Sequence, residues 1–249
     1  MKRLGIIDWG IGGISIYKLI KEQLGDIPVT YFSDTGATPY GKMSRPELVA
    51  RLNAVIRFLK DRGVTHIVIG CNAASTALPF IDKAGLEIKG VIEPAVEMTT
   101  KLDPGRLAVI GGRRTILSGV YRKAFSERRI GIRQRIAQPL SALIESGDVD
   151  STDLKREAAR ILGPIRNSSH ILLACTHYPA IRNVLQPLVS SETKFIDPAA
   201  EMVKIVSRWR LDPTGTDEFL TTGDAAGMKV SARNAFSVDL NAVKHLDLR

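Results

Sequence analysis

Cys71 and Cys175 are the only cysteines in a chain of 249 residues, and each closes a short apolar run. A free thiol, with an ordinary pKa of about 8.5, needs only a modest push to become a base or nucleophile near neutrality. Neither cysteine sits in a CxxC or Cys/His metal spacing, so no metal site is expected, and in a reducing compartment two cysteines do not point to a structural disulfide. Two thiols facing one bound molecule from opposite sides would suit inversion of a carbon bearing an acidic hydrogen. That reaction needs a base on one face and a proton donor on the other. A lone cysteine after an apolar strand is more often a small buried hydrophobe. Here both are followed by a polar residue, Asn72 and Thr176, that would open the next helix, where backbone N–H groups favour a thiolate or a carboxylate.

Two further side chains belong with this pair. His177 lies two residues after Cys175 and either assists its protonation or caps a helix. Asp8 ends the first apolar run in the turn Asp8-Trp9-Gly10-Ile11-Gly12-Gly13. A carboxylate there can hold a substrate ammonium or take part in proton transfer, although aspartate is also a common N-cap. The glycines lack the third position of a dinucleotide fingerprint, so NAD is not indicated. Two other readings stay open. One is a hydrolase or lyase using Cys175 as nucleophile and His177 as base, which leaves Cys71 without a role. The other is a binder without catalysis.

The elements that must position these residues are legible as alternation. Apolar runs at residues 4–7, 29–32, 66–69, 86–92, 107–110, 170–173 and 194–196 read as buried parallel strands. Helical spacing covers 15–23, 45–61, 117–128, 153–165 and 181–189. The βαβα order predicts an α/β fold with ligands beyond the carboxyl ends of the strands. The chain also repeats itself: residues 66–72 (HIVIGCN) match 170–176 (HILLACT) 104 positions later, and Glu93-Pro94-Ala95 meets Asp197-Pro198-Ala199 at the same offset. Residues 4–10 resemble 107–113 at an offset of 103. Two doubly wound parallel-sheet half-domains related by a pseudo-twofold axis are therefore expected, residues 1–95 with 207–249 forming one and 96–206 the other. Each would present one cysteine at a cleft between them.

The composition, 44% hydrophobic and 24% charged, fits a sizeable core. No run approaches the roughly 20 apolar residues of a membrane span, and residues 1–4 lead into the first strand without a cleavable signal pattern, so a soluble cytoplasmic protein is expected. The net charge of +9 comes from scattered lysines and arginines and reads as a solvated basic surface, with steering of an anionic substrate as a side effect and no nucleic-acid partner.

Taken together, several segments resemble the glutamate racemases of the cofactor-independent aspartate/glutamate racemase superfamily, over residues 5–199. They are Gly5-Ile6-Ile7-Asp8 with Gly10-Ile11-Gly12-Gly13, Ser33-Asp34-Thr35 with Pro39-Tyr40-Gly41, Cys71-Asn72, Ile92-Glu93-Pro94, Thr115 with Ser118 and Tyr121, Glu145-Ser146-Gly147, and Cys175-Thr176-His177-Tyr178-Pro179. The resemblance implies that Cys71 and Cys175 are the catalytic thiols, that Asp8 and His177 assist them, and that Glu145 supports the His177 side. It further implies that Asn72, Thr115 and Thr176 hydrogen-bond the substrate under a loop of Asp34, Thr35, Pro39, Tyr40 and Gly41. No pyridoxal phosphate and no metal are implied, and a homodimer and a cell-wall role, in peptidoglycan synthesis, are. Three positions depart from the family: Trp9, Ala73 and Gly112 stand where hydroxyl residues are usual. Trp9 would either shorten the cavity or donate its indole N–H in place of a serine. The substrate expected is a small acidic amino acid, glutamate first and aspartate close behind, since one methylene is worth only about 1 to 3 kcal/mol of discrimination.

Overall fold

A computed structural model describes residues 2–248. Among the described residues ten strands form two sheets, and every strand pair is parallel. The first six are β1 (Leu4–Asp8), β2 (Val29–Ser33), β3 (His66–Ile69), β4 (Glu87–Gly90), β5 (Leu107–Gly111) and β6 (Ile132–Ile136). They are followed by β7 (His170–Ala174), β8 (Lys194–Ile196), β9 (Glu218–Thr221) and β10 (Val243–His245). The α-helices between them are α1 (Ile14–Leu24), α2 (Arg45–Asp61), α3 (Asn72–Ser75), α4 (Ile92–Lys101), α5 (Arg113–Leu117) and α6 (Val120–Ser126). The later ones are α7 (Gln138–Glu145), α8 (Thr152–Leu162), α9 (Arg182–Leu185), α10 (Ala199–Arg208) and α11 (Ala225–Phe236).

The internal repeat becomes a repeat of topology. The first sheet contains the order β2-β1-β3-β4 and the second the order β6-β5-β7-β8, which is the same order one repeat later. β9 and β10 extend the first sheet beyond β2, so the tail of the chain returns to the first half. The two central strands β1 and β5 are buried throughout because helices cover both faces, which is why they read as unbroken apolar runs.

The helix after the last strand of each repeat crosses over. Ala95 and Val96 of α4 pack with Tyr121, Phe125 and Leu172 of the second half. Met202, Val203 and Val206 of α10 pack with Ile16 and Ile20 of α1. The repeat assigns residues up to 206 to the second half, but the buried face of α10 belongs to the core of the first. Burying such a face at about 25 cal/mol per Å² decides the matter more strongly than chain order does.

Two segments fold differently from their sequence pattern. The helix expected over 117–128 is broken at Gly119, whose φ of 73° leaves a left-handed joint between α5 and α6. The 181–189 stretch is the short α9 flanked by 3-10 turns, because Pro179 and Pro187 interrupt it. α4, α7, α10, α11 and the strands β6, β9 and β10 had no assignment from pattern.

Candidate active site

The cysteines lie at equivalent places, one residue beyond the end of β7 for Cys175 and two beyond β3 for Cys71. Both line one cleft of about 400 Å³ at the carboxyl ends of the two sheets. A larger hollow of about 850 Å³ lies at the opposite, amino-terminal end of the second sheet, lined by exposed Arg106, Arg133 and Arg166. It holds neither cysteine, so chemistry and not volume locates the site.

On the Cys175 side the groups form a chain. The Cys175 Sγ is 3.6 Å from His177 Nδ1, and His177 Nε2 is 2.6 Å from Glu145 Oε2. The same carboxylate oxygen accepts from the Ile11 backbone N–H at 2.9 Å. Burial disfavours an imidazolium at this depth, but the Cys175 sulfur and the Glu145 carboxylate outweigh it and hold His177 well above the ordinary histidine range. With both ring nitrogens protonated, the imidazolium donates to the sulfur on one side and to the carboxylate on the other.

On the Cys71 side the environment works in the other direction. Burial pushes the Cys71 thiol well up, Asp8 and Cys175 add to this, and the backbone N–H groups of Ala74 and Trp9 pull partly back. Burial also raises Asp8, against the pull of the His177 charge. One Asp8 oxygen accepts from the Gly10 N–H at 3.2 Å and the other from the Thr176 hydroxyl at 3.2 Å.

The glycine turn is explained by what it touches. A Cβ at Gly10 would collide with the Glu145 carboxylate, and one at Gly12 would come within 2.5 Å of Thr176 Oγ1 and 2.6 Å of His177 Nδ1. These glycines let the backbone of the first half press against Glu145, Thr176 and His177 of the second.

Of the residues singled out by sequence, Asp8, Trp9, Pro39, Tyr40, Gly41, Asn72, Ala73, Thr115, Glu145, Thr176 and His177 line the cleft with the two cysteines. Asp34 does not. Its buried carboxylate accepts from Tyr40 Oη at 2.8 Å, Arg51 Nε at 2.8 Å, Arg51 Nη2 at 2.6 Å and Thr222 Oγ1 at 2.9 Å, which leaves it no free lone pair for a ligand. Asp34 instead anchors the 39–41 loop through Tyr40. Trp9 does not replace the missing serine hydroxyl either, because its Nε1 donates to the Ala37 carbonyl at 3.1 Å. Its ring remains as a wall. Pattern reading missed Lys42, Arg113, Gln138 and Ser141 of the lining. The last two ride on α7, whose Gln138-Pro139 opening was the available signal.

Among the described residues no group of three or more His, Cys, Asp or Glu side chains could hold a metal ion, and no helix is long and apolar enough to cross a membrane.

The sequence profile of the Asp/Glu/Hydantoin racemase family matches residues 4–206. The chain belongs to that family. It is an amino-acid racemase, an isomerase. It is 31% identical over 208 residues to a glutamate racemase of Desulforudis audaxviator, covering 81% of this chain and 76% of that one. It is 32% identical over 246 residues to one of Mycobacterium marinum, covering 92% and 91%. Among solved structures, a glutamate racemase isoform from Bacillus anthracis superposes with a TM-score of 0.89 at 25% identity, over 99% of this chain and 98% of the other. The Thermus thermophilus glutamate racemase, in complex with β-chloro-D-alanine, gives 0.85 at 26% identity, over 99% and 97%. The two parallel-sheet half-domains are those of this family.

Proposed function

We propose that this racemase interconverts the two enantiomers of an acidic amino acid, glutamate first and aspartate second, by passing protons between Cys71 and Cys175 without a cofactor. The observation that carries the reading is the placement of both thiols on one cleft, each with its own acid/base companion. Cys175, acting as a thiolate with His177 Nδ1 3.6 Å from its sulfur, removes the α-hydrogen from one face. The Cys71 thiol, kept protonated by burial, delivers its proton to the other. In the reverse direction the Asp8 carboxylate takes the Cys71 proton and the His177 imidazolium gives one to Cys175, so that the Cys71 thiolate is the base and the Cys175 thiol the acid. Asp8, raised by burial, is suited to that exchange.

Asn72, Thr115 and Thr176 hold the substrate beneath the Pro39-Tyr40-Gly41 loop. The preference for glutamate rests on the relatives, which carry that name. Aspartate follows because the Trp9 ring narrows the cleft while Ala73 and Gly112 contribute no hydroxyl. A homodimer, a cytoplasmic location and a cell-wall role belong to the same reading.

The test is exchange of the substrate α-hydrogen with deuterated water by purified protein without added cofactor, for L- and D-glutamate and L- and D-aspartate. Loss of the α-proton signal supports the reading, and its retention in all four defeats it. The Cys175–His177–Glu145 chain would also serve a cysteine hydrolase or lyase. In that case Cys71→Ala spares activity, whereas the racemase loses it.

A further inference from the structure

Asn72 is 3% exposed and its carboxamide is half satisfied. Its Oδ1 accepts from the Tyr121 hydroxyl at 2.7 Å, while its Nδ2 has no partner in the protein. Tyr121 is fully buried and lies on α6, in the half opposite to Asn72. A buried N–H group is costly to leave unpaired, by about 1 to 3 kcal/mol, so a free Nδ2 at a cleft wall is a donor awaiting an acceptor.

The orientation of this amide is chemically decisive. Held as it is, it offers N–H to an anionic oxygen. Turned over, it would present its carbonyl oxygen and repel the same ligand. Burial pushes the Tyr121 phenol up, so it stays neutral and able to donate.

The same corner of the second half makes two more cross-cleft bonds. Arg114 Nε donates to Thr76 Oγ1 at 3.0 Å and Nη1 to the Met43 carbonyl at 2.6 Å, reaching the helix turn after Cys71 and the end of the 39–43 loop. There is a counterpart on the other side, where Thr176, which follows Cys175, is bonded to Asp8 of the first half. The residue after each cysteine is thus oriented by a side chain from the opposite half.

We propose that Tyr121 is a positioning residue that locks the Asn72 carboxamide with Nδ2 toward an anionic oxygen of the substrate, so that this donor is set only while the two halves are docked. This rests on the acidic-substrate reading above.

Tyr121→Phe removes only the hydroxyl. With glutamate as substrate, KM rises about three- to tenfold, the equivalent of one hydrogen bond, and by a larger factor than kcat falls. In protein labelled with 15N-asparagine, the Asn72 side-chain amide is identified by its loss in Asn72→Ser. It shifts in Tyr121→Phe before any substrate is present, and in the wild type it shifts on adding D-glutamate. An unchanged KM overturns the proposal, as does a raised KM with the Asn72 resonance unmoved. If Tyr121→Phe loses its folded far-ultraviolet spectrum, the wild-type titration decides: a resonance indifferent to D-glutamate overturns the proposal. Failure of the wild type to exchange any α-hydrogen would defeat the racemase reading itself, a result distinct from either.

Discussion

The two halves of the molecule share a strand order and differ in what they place around their cysteines. The Cys71 half surrounds its thiol with apolar burial and a raised carboxyl group, Asp8. The Cys175 half supplies an imidazolium held by Glu145. A duplicated α/β unit accounts for two thiols on one cleft, and the divergence of their surroundings gives each a different neighbour, His177 for Cys175 and Asp8 for Cys71. In the proposed reaction, symmetry supplies the opposed geometry of inversion and asymmetry supplies the different companions of the two thiols.

The most severe way to break the comparison is to remove one thiol. Cys71→Ser and Cys175→Ser should each lose racemisation by roughly a thousandfold in kcat, within the usual range for a general acid or base. They should still differ. Each variant keeps α-hydrogen exchange for the one enantiomer that presents its hydrogen to the remaining thiol, and the two variants keep opposite enantiomers. Chiral chromatography combined with proton NMR in deuterated water checks this, and retention of the same enantiomer by both would contradict the opposed arrangement.

Gly10→Ala is next. Its methyl would displace Glu145, and with it the partner of His177. A charge-assisted hydrogen bond is worth about 1.5 to 3 kcal/mol, so kcat/KM should drop roughly 10- to 100-fold. Glu145→Gln should show a loss of similar size, and the double variant little more than either, because both act through one bond.

The His177–Glu145 pair also sets a pH dependence of stability. His177 is raised in the folded protein, so its contribution is fully present below the unfolded histidine value of about 6.5 and is lost as pH rises through the folded value. Burial of the Cys71 thiol works in the same sense, since a raised folded value costs stability once the unfolded thiol would ionise. The melting temperature should therefore fall on the alkaline side. The gap between wild type and Glu145→Gln should be largest at mildly acidic pH and close as pH rises. A gap that widens with pH would contradict an imidazolium at this position.

Sequence made the chemistry more legible than the supporting frame. Cys71 and Cys175 were marked by scarcity and by the 104-residue offset, and the offset also implied the duplicated sheet order. Asp34 was misplaced because motif text does not show where a carboxylate's lone pairs go. Arg51, 17 residues along on α2, and Thr222, 188 residues away, consume them. β9 and β10 went unread because Glu218–Thr221 and Val243–His245 hold only two and one apolar residues and, unlike the similarly short β8, have no match in the internal repeat. α10 was assigned to the half it follows in the chain, since the repeat offset orders segments along the chain and does not say against which sheet a following helix lies.

The smallest expected effect concerns the wall between the two thiols. Trp9 holds the 34–41 segment through its bond to the Ala37 carbonyl and fills space where the family resemblance implies a hydroxyl. Trp9→Ser returns that hydroxyl and enlarges the cleft, which should move the glutamate-to-aspartate ratio of kcat/KM toward glutamate. One methylene of fit is worth about 1 to 3 kcal/mol, and loss of the loop bond offsets part of it, so a shift of roughly tenfold is expected. Racemisation assays on both substrates measure this ratio. A shift toward aspartate would mean that the indole reads the substrate by contact and not by exclusion, and that the wall belongs to neither thiol but to the ligand itself.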